Sequence, residues 1–426
     1  MNKYKNRFQK KYLIFLKILL LLLFFKILIS KTIFINLKKN YENLTKINNT
    51  NIFYNQNYYK INGINYLNKC KKYLLSNNKT KFTNNIFPKI SVIIPIYNCE
   101  STIQLSISSI QNQKFSDFEI ILINDFSSDK SLQIIEKLQK EDNRIKIINN
   151  KINMGTLYSR CIGALKSTGK YILALDNDDL FINEKLFETI YNQAELINYD
   201  IIEFKSFSIK NYNPYIKDIK DSFFNHHPNN LILHQPELGI FPISKSNKLA
   251  PNDHWIWAKC IKGKLYKKSI HTLGAKRYSI YNCWTEDISI VFIIFNLAKS
   301  YIFLNIYGIF HLLSKSTTSY TLQNNHRLFC EIFLLDIIFD FSKNNKESKK
   351  YAVYKALSIR IYNFKILSLN FKIYLNSILK KLINCKYINN EDKQLITKKY
   401  KLIIDGKIYN KYKIYFNFIA SSNILV

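Results

Sequence analysis

Between residues 88 and 176, short apolar runs alternate with segments of helical periodicity, and this alternation limits the possible folds more than any other feature. The apolar runs have the length of buried strands and cover residues 90–94, 119–123, 145–148 and 171–175. Between them, apolar residues recur three or four positions apart, as on one face of a helix. Such alternation is typical of βαβ units. The sequence therefore predicts an α/β fold with a mostly parallel sheet and flanking helices.

Each predicted helix follows a strand closely. Ser101 and Gln104 have the spacing of a capping box, which would begin the first helix. The second helix is predicted around residues 132–138 and the third over residues 155–166. A later apolar run, residues 200–209, predicts one more strand of the same sheet.

The N-terminal residues have the pattern of a membrane anchor. Residues 1–11 form a basic tail, and residues 12–30 are apolar over nearly the length that crosses a bilayer as a helix. Lys17 and Lys26 interrupt this stretch, and their long side chains can reach the lipid headgroups. No clear small-residue cleavage site follows, which favours an uncleaved signal anchor over a signal peptide. The basic tail predicts a cytosolic N-terminus and a single-pass type II protein.

Residues 31–87 are rich in Asn, Lys and Tyr without sustained periodicity, as expected of a stem. They contain three Asn-x-Ser/Thr triplets, at Asn43, Asn48 and Asn78. In so Asn-rich a chain such triplets also arise by chance, so they support a luminal location only weakly. On this interpretation the rest of the chain lies in the lumen of the Golgi or ER.

The charge of the chain does not by itself indicate nucleic acid. There are 63 Lys and Arg against 30 Asp and Glu, giving a net charge of +33. Lys accompanies abundant Asn, Ile, Tyr and Phe, a mixture that an A- and T-rich coding sequence produces. No zinc-finger, basic-zipper or RRM-type motif accompanies the charge, so no nucleic-acid partner is predicted. An anionic membrane surface or a diphosphate ligand remains compatible with it.

The seven cysteines do not form a metal motif. They include no C-x-x-C pair, and no His lies at zinc-finger spacing from them. Cys99 and Cys161 fall in predicted core elements, so both are expected to be buried free thiols.

Polar and aromatic residues follow three of the predicted strands. Pro95 and Tyr97 end the first, Asn124 and Asp125 end the second, and residues 176–179 read Asp-Asn-Asp-Asp after the fourth. Ligands of open α/β sheets bind beyond the carboxyl ends of the strands, so these residues predict a site at one edge. The chain has neither G-x-G-x-x-G nor G-x-x-x-x-G-K-[ST], which argues against a dinucleotide fold and a P-loop.

The acidic group at 176–179 has two interpretations. Asp176 and Asp178 can approach one cation from the same side, and a hard divalent ion completes its shell with phosphate oxygens and water. Alternatively the group is a solvated turn or a helix cap, where Asp and Asn are common. Its position after an apolar strand, in line with the other strand ends, favours a functional site.

These motifs in this order resemble family 2 glycosyltransferases of the GT-A fold. The resemblance is carried by ISVIIPIYNCESTIQLSISSIQNQKFSDFEIILINDFSSDKSLQII and NKINMGTLYSRCIGALKSTGKYILALDNDDLF. It covers residues 88–199 segment by segment and reaches residue 320 more loosely. It implies a nucleotide-diphosphate sugar donor, a Mn²⁺ or Mg²⁺ ion and transfer with inversion at the anomeric carbon. The expected organisation is a glycosyltransferase domain over 88–320 and a helical C-terminal region over 321–426.

The resemblance assigns the donor-binding residues by position. Pro95 and Tyr97 fall where the family lines the nucleoside pocket, and Asp125 falls where an acid meets the base. Asn124 departs from the family, which often has a second acid there. The resemblance therefore implies weaker base recognition at this position.

Two further motifs extend the implied donor site. Asn153, Gly155 and Arg160 match Asn-x-Gly followed by Arg, which implies that Arg160 lies near the donor phosphates or nucleoside. The residue after this Arg is commonly Asn in the family and is Cys161 here.

The acidic turn matches the D-x-D motif of the family. The matching residues are Asp176, Asn177 and Asp178, with Asp176 expected near the ribose and Asp178 on the metal. Asp176 is a further metal candidate, and Asp179 is expected to support the metal ligands from behind.

The second half of the chain supplies a candidate catalytic base. Glu286 and Asp287 match a Glu-Asp pair whose Asp deprotonates the acceptor hydroxyl in similar proteins. Asp287 is the first choice and Glu286 the second. The alternative is structural, because Thr285 is a good N-cap and acids stabilise the first turn of a helix.

Three other residues have open assignments. His311 is either a further metal or diphosphate ligand or, as a lone His more often is, structural. Lys315 could reach the leaving diphosphate, and Trp257 is either a platform for a sugar or, as we favour, part of the core. The region beyond residue 320 is predicted to be helical, as packing helices or as a surface for a membrane or partner.

The resulting prediction is a metal-dependent inverting glycosyltransferase that moves a sugar, most commonly from a UDP-sugar in this family, to a hydroxyl of a glycan, glycoprotein or glycolipid. One alternative is a cytosol-facing transferase with a lipid-phosphate acceptor. Another is a non-catalytic carbohydrate-binding protein on the same scaffold. A third is a membrane-tethered scaffold acting through its helical tail.

Overall fold

The computed structural model describes residues 88–210, 222–223, 232–234, 255–279, 286–313, 324–341, 369–384 and 390–404. The predicted cytosolic tail, signal anchor and stem lie outside these residues. Within the described ranges no helix is both long and apolar enough to span a bilayer.

Strands and helices alternate in the first half of the described chain. The strands are β1 (Ile90–Ile96), β2 (Phe118–Asn124), β3 (Ile145–Asn149), β4 (Tyr171–Ala174), β5 (Leu180–Phe181), β6 (Ile201–Lys210), β7 (Ser222–Phe223), β8 (Ile232–His234), β9 (Lys259–Lys262) and β10 (Ser300–Leu313). The helices are α1 (Ile103–Gln111), α2 (Ser131–Glu141), α3 (Thr156–Lys166), α4 (Leu186–Ile197), α5 (Gly263–Leu273), α6 (Ala275–Tyr278), α7 (Glu286–Leu297), α8 (Asn324–Phe341), α9 (Leu369–Ile383) and α10 (Asn390–Ile404). The βαβ pattern predicted between residues 88 and 176 is confirmed.

The strands form one mixed sheet in the order β3-β2-β1-β4-β9-β6-β10-β5, with β7 and β8 pairing at its far end. The first four strands in this order are mutually parallel. Beyond them, β9 is antiparallel to both of its neighbours, and β10 is parallel to β6 but antiparallel to β5 and β8. The prediction of a mostly parallel sheet is therefore wrong for this half, because apolar runs report burial and not strand direction.

Strands β1, β2 and β4 are buried on both faces, which explains their apolar runs, whereas β3 at the edge of the sheet is partly exposed. In β1, Ile93 packs on the face covered by α3, α5 and α7, and Val92 and Ile94 pack on the face covered by α1, α2 and α4. Cys99 and Cys161 are buried free thiols, as predicted.

The predicted capping box is absent. Helix α1 has Thr102 at its N-cap and no side-chain capping bond. Instead, the main-chain N–H groups of Thr102 and Ile103 both donate to the Cys99 carbonyl oxygen at 3.0 Å. The Glu100 N–H donates to the Asp129 carboxylate at 3.0 Å. This turn is therefore held by the neighbouring loop and not by a side-chain cap of the helix.

Gly169 lies where the chain enters β4, against the start of β1. Its N–H donates to the Ser91 hydroxyl at 2.8 Å. A Cβ at this position would lie 2.6 Å from the Ser91 main-chain nitrogen and 2.8 Å from the Ile90 carbonyl carbon. Backbone atoms in a buried sheet cannot move aside cheaply, so only glycine fits.

Replacing Gly169 with alanine should lower the free energy of unfolding by about 1–3 kcal/mol, the usual effect of overpacking. Urea unfolding measures this difference. Lys166→Ala, an exposed change three residues earlier, is the control and should stay within about 0.5 kcal/mol of the parent protein. Equal stability of the two variants would contradict the close packing.

The described C-terminal helices pack on the sheet domain. Their buried residues join the core that contains α5 and α7; they include Ile332, Phe333, Leu375, Leu382, Ile396 and Tyr400. A charge cluster supports this packing: Lys381 Nζ lies 2.5 Å from Asp336 and 3.0 Å from Asp340, and Arg277 of α6 pairs with both aspartates. Of the alternatives left open by the sequence, the described helices match packing helices.

Candidate active site

Three parallel strands end at the same edge of the sheet. Ile96 at the end of β1 is paired with Asn124 at the end of β2, and Ile93 is paired with Ala174 at the end of β4. Parallel strands place the residues that follow their carboxyl ends side by side. The predicted site residues after β1, β2 and β4 therefore share one edge.

The residues predicted for the nucleoside pocket differ in exposure. Tyr97 is exposed beyond β1, with the ring of Phe126 exposed beyond β2. Pro95, in contrast, is buried inside β1, and its carbonyl oxygen accepts a hydrogen bond from the Asn177 amide at 3.0 Å. The structure places Pro95 inside β1, which extends two residues further than the sequence pattern predicted, and its role in lining the nucleoside pocket stays a prediction.

Asp125 is buried and already holds the loop before α3. One of its oxygens accepts hydrogen bonds from the Asn150 amide at 2.7 Å and from the Met154 N–H at 2.8 Å. The other accepts from the Gly155 N–H at 2.8 Å. Gly155 has φ of 86°, a left-handed conformation that favours glycine, and also bonds Asn153 Oδ1 at 3.1 Å. Asp125 thus orients the Asn-x-Gly motif, a role that the sequence did not predict.

Asn124 orders the loop after β2. Its amide nitrogen donates to Asn149 Oδ1 at 3.0 Å, and its oxygen accepts from the Ser127 N–H at 3.1 Å. These bonds span the turn that presents Phe126, whose φ is 63°. An amide serves here because one side of the group donates and the other accepts.

The four residues of the acidic turn have different surroundings. Asp176 pairs with Arg160, Asn177 bonds the Pro95 carbonyl, and Asp179 faces His311. No cationic group of the described residues lies within ion-pairing distance of Asp178. Burial and the neighbouring carboxylates raise the pKa of Asp178 to about 8.

His311 reaches this turn from β10. Its Nδ1 lies 3.1 Å from both carboxylate oxygens of Asp179, which is fully buried. Burial alone would lower the pKa of His311, but the adjacent Asp179 carboxylate raises it to about 9. The ring therefore forms a charged pair with Asp179, and Nδ1 is already engaged.

Arg160 joins the acidic turn to the predicted base. Its guanidinium, on a side chain that is only 3% exposed, pairs with Asp176 and Asp287 and lies 3.4 Å from Glu286 Oε1. The guanidinium thus has three carboxylates as neighbours, and its implied position near the donor phosphates or nucleoside stays a prediction. Buried carboxylates require such a partner because desolvation is costly.

Glu286 and Asp287 begin α7. Burial raises the pKa of Asp287 to about 6, although the Arg160 guanidinium opposes this shift. Burial and the adjacent Asp287 also raise the pKa of Glu286. The proposed N-cap Thr285 and the proposed phosphate contact Lys315 lie outside the described residues.

The carboxylates provide limited support for a divalent cation. The described part of the chain has no group of three or more His, Cys, Asp or Glu residues arranged to hold a metal. However, Asp178 has no cationic partner there, and Asp176 lies two positions away. A hard cation held by one or two carboxylates, with phosphate oxygens from a ligand, fits this donor set.

Trp257 is buried, as we favoured from the sequence, but it is also part of the site wall. Its ring, 1% exposed, stacks on the His311 ring with centroids 5.0 Å apart and planes 17° apart. The Arg160 and His311 contacts could not be found from sequence, because their partners lie 126 and 132 residues away in the chain.

Comparison with known proteins gives one family match: residues 91–248 match the family model described as "Glycosyl transferase family 2". Residues 1–349 of the S. aureus protein TarS, crystallised with UDP-GlcNAc, superpose with a TM-score of 0.51 at 17% identity. This alignment covers 74% of this chain and 86% of that one. It shows a shared fold, in agreement with the implied GT-A architecture.

Three bacterial relatives match part of this chain. A Haemophilus influenzae protein named an uncharacterized glycosyltransferase is 42% identical over 99 residues, 23% of this chain and 40% of that protein. A Campylobacter jejuni GalNAc(5)-diNAcBac-PP-undecaprenol beta-1,3-glucosyltransferase is 38% identical over 23% of this chain and 32% of its own length. A Borreliella burgdorferi cholesterol galactosyltransferase is 40% identical over 27% of this chain and 31% of its own length. The chain thus spans less than half the length of these relatives.

Proposed function

We propose that this chain, whose residues 91–248 match the family model for glycosyl transferase family 2, transfers a sugar from a nucleotide-diphosphate sugar to an acceptor hydroxyl with inversion. The observation that carries the proposal is the bridge made by Arg160. It holds the acidic turn at the strand ends and the Glu286–Asp287 pair together in one buried cluster.

The chain's own residues divide the reaction between donor and acceptor. Asp287 would take the proton of the acceptor hydroxyl. At the same time the acceptor oxygen would form a bond to the anomeric carbon, and the bond between that carbon and the diphosphate oxygen would break. Arg160 favours the ionised form of Asp287, which a base requires. Asp178, with Asp176, would hold a Mn²⁺ or Mg²⁺ ion. When bound, this ion would offset the charge developing on the leaving diphosphate.

The donor proposed first is a UDP-sugar. TarS, which shares the fold, was crystallised with UDP-GlcNAc, so UDP-GlcNAc is the first donor to test. The exposed Tyr97 at the end of β1 is available to stack on a nucleoside base.

The acceptor is proposed as a hydroxyl of a glycan, glycoprotein or glycolipid. Two of the relatives have names that include a lipid acceptor: a glycan linked to undecaprenol in one name and cholesterol in the other. These names favour a lipid-linked acceptor as the second candidate to test.

Membrane anchoring by residues 12–30, with a luminal domain in the Golgi or ER, stays a prediction from sequence. The relatives named above are bacterial and give no support for a Golgi location. Glycan occupancy at Asn43, Asn48 or Asn78 in a eukaryotic host would support the luminal orientation. A cysteine at the same positions that reacts with an impermeant reagent only from the cytosolic side would contradict it.

The activity can be tested on the full chain in detergent. Release of nucleoside diphosphate from a panel of sugar nucleotides is measured with and without Mn²⁺. We expect turnover of one donor that requires the metal. Asp178→Asn should raise the Mn²⁺ concentration for half-maximal turnover by about 10- to 100-fold, because one charged ligand is lost.

The outcomes separate the alternatives. Donor binding without release of diphosphate, with or without added glycan and lipid acceptors, would favour the non-catalytic carbohydrate-binding protein. Turnover with the same Mn²⁺ dependence in Asp178→Asn as in the parent protein would contradict the proposed metal position. Lys140→Ala, an exposed change in the last turn of α2, is the control for handling of the variants.

A further inference from the structure

Three aromatic rings form a cluster beside the acidic turn. The Trp257 ring lies nearly parallel to the His311 ring, at 5.0 Å between centroids, and to the Trp255 ring, at 5.6 Å and 18° between planes. The centroids of Trp255 and His311 are 6.5 Å apart, so each ring lies beside the other two. Trp257 is buried and the His311 side chain is 16% exposed, whereas Trp255 is 40% exposed. Trp255 is therefore the most exposed ring of the cluster.

A buried charge holds the backbone of the outer ring. Lys259 is fully buried, and its Nζ donates to the Trp255 carbonyl oxygen at 2.8 Å. The same Nζ lies 3.2 Å from Glu203, which is also fully buried. Ala258 has φ of 59°, a left-handed conformation rarely adopted by a residue with a Cβ. Strain and a buried cation are thus both used to fix this short segment.

The segment also contacts the proposed base. The main-chain N–H of Ile256, next to Trp255, donates a hydrogen bond to the Asp287 carboxylate. His311, another ring of the cluster, pairs with Asp179 of the acidic turn. Trp255 is therefore one residue away from a direct contact with Asp287.

We propose that Trp255 is the platform on which a pyranose ring of the acceptor stacks, so that one of its hydroxyls lies beside Asp287. The inference rests on the proposed function and names its acceptor class as a sugar. The face of an indole ring is negative, and it attracts the weakly positive C–H groups on the flat face of a pyranose. A serine or threonine side chain or a bare lipid phosphate has no such face.

Binding is tested first, without turnover. Methyl β-glucoside, methyl β-galactoside and methyl N-acetyl-β-glucosaminide are added to the full chain, and transfer of magnetisation to each sugar is measured by NMR. We expect at least one glycoside to bind the parent protein and Trp255→Phe, and to lose most of its signal with Trp255→Ala. Leu196→Ala, which removes a 47% exposed side chain of α4, is the matched control.

Turnover supplies the second readout. With the donor identified above, Trp255→Ala should raise the KM of the bound glycoside about tenfold and the KM of the donor by much less, and Trp255→Phe should restore both values. A merely structural role of Trp255 would raise both KM values to the same extent.

The two proposals fail in distinguishable ways. No turnover of any donor would overturn the proposed function, and glycoside binding that depends on Trp255 would still support a sugar platform. Absence of binding by all three glycosides, or equal binding by Trp255→Ala and the parent protein, would overturn the platform. An equal rise of donor and acceptor KM in Trp255→Ala would overturn it too.

Discussion

Replacing Asp287 with asparagine should lower kcat by about 10²- to 10⁴-fold, the usual contribution of a positioned general base. The amide has nearly the shape of the carboxylate but cannot take the proton of an acceptor hydroxyl. Arg160 keeps two of its acidic partners, Asp176 and Glu286, so the cluster should persist. The donor KM should change little. The measurement is steady-state kinetics with the donor and acceptor identified for the parent protein.

The same base predicts a dependence on pH. Burial raises the pKa of Asp287 to about 6, and only its ionised form can accept a proton. The value of kcat/KM should therefore fall as the pH is lowered through about 6, and should approach a plateau above that value. In Asp287→Asn this acidic limb should disappear from whatever activity is left.

Glu286→Gln is the matched comparison, because the two acids are adjacent and share Arg160. We expect it to lower kcat less than Asp287→Asn does. A larger loss in Glu286→Gln, together with disappearance of the acidic limb in that variant, would assign the base to Glu286. Unchanged kcat in both variants would contradict a base at this position of the fold.

Replacing Arg160 with methionine should lower the free energy of unfolding by about 3–5 kcal/mol, the cost of leaving buried charges without a partner. The methionine fills part of the volume but leaves Asp176, Glu286 and Asp287 facing one another. Urea unfolding followed by circular dichroism measures the loss. The free energy of unfolding of Arg160→Lys should lie between those of the parent protein and Arg160→Met, since lysine restores the charge but not the planar guanidinium group.

The loss of unfolding free energy in Arg160→Met should depend on pH in one direction. Without the guanidinium, the pKa values of Glu286 and Asp287 rise further in the folded state, so the folded variant binds more protons than the unfolded chain. Its deficit relative to the parent protein should therefore shrink as the pH falls from 8 to 5. Arg277→Met removes a more exposed arginine from the cluster with Asp336 and Asp340, and should cost only about 1 kcal/mol or less. Equal losses in the two methionine variants would contradict the buried bridge.

Several features of the fold followed from sequence because they depend on local periodicity. The apolar runs marked β1 to β4 to within a few residues, since β1, β2 and β4 are buried along their whole length and even the partly exposed edge strand β3 has three isoleucines. The two thiols Cys99 and Cys161 were predicted to be buried for the same reason.

Other features were beyond local pattern. Strand β9 is antiparallel to both of its neighbours, and its four residues contain no turn or periodicity signal from which this direction could be predicted. The capping box of α1 had the right residue types, but the turn found other partners across the sheet edge.

The sequence by itself determined which residue types gather at the carboxyl ends of the parallel strands, because the positions of these strands along the chain follow from periodicity to within a few residues. Only the tertiary structure decided how these residues are shared. It surrounds Arg160 with three acids and pairs Asp179 with His311. It also buries Pro95 and leaves Trp255 at the surface. These pairings join segments more than 100 residues apart, except for Arg160 with Asp176. They arise because charges and rings brought into the same dry space must satisfy one another, which no local pattern records.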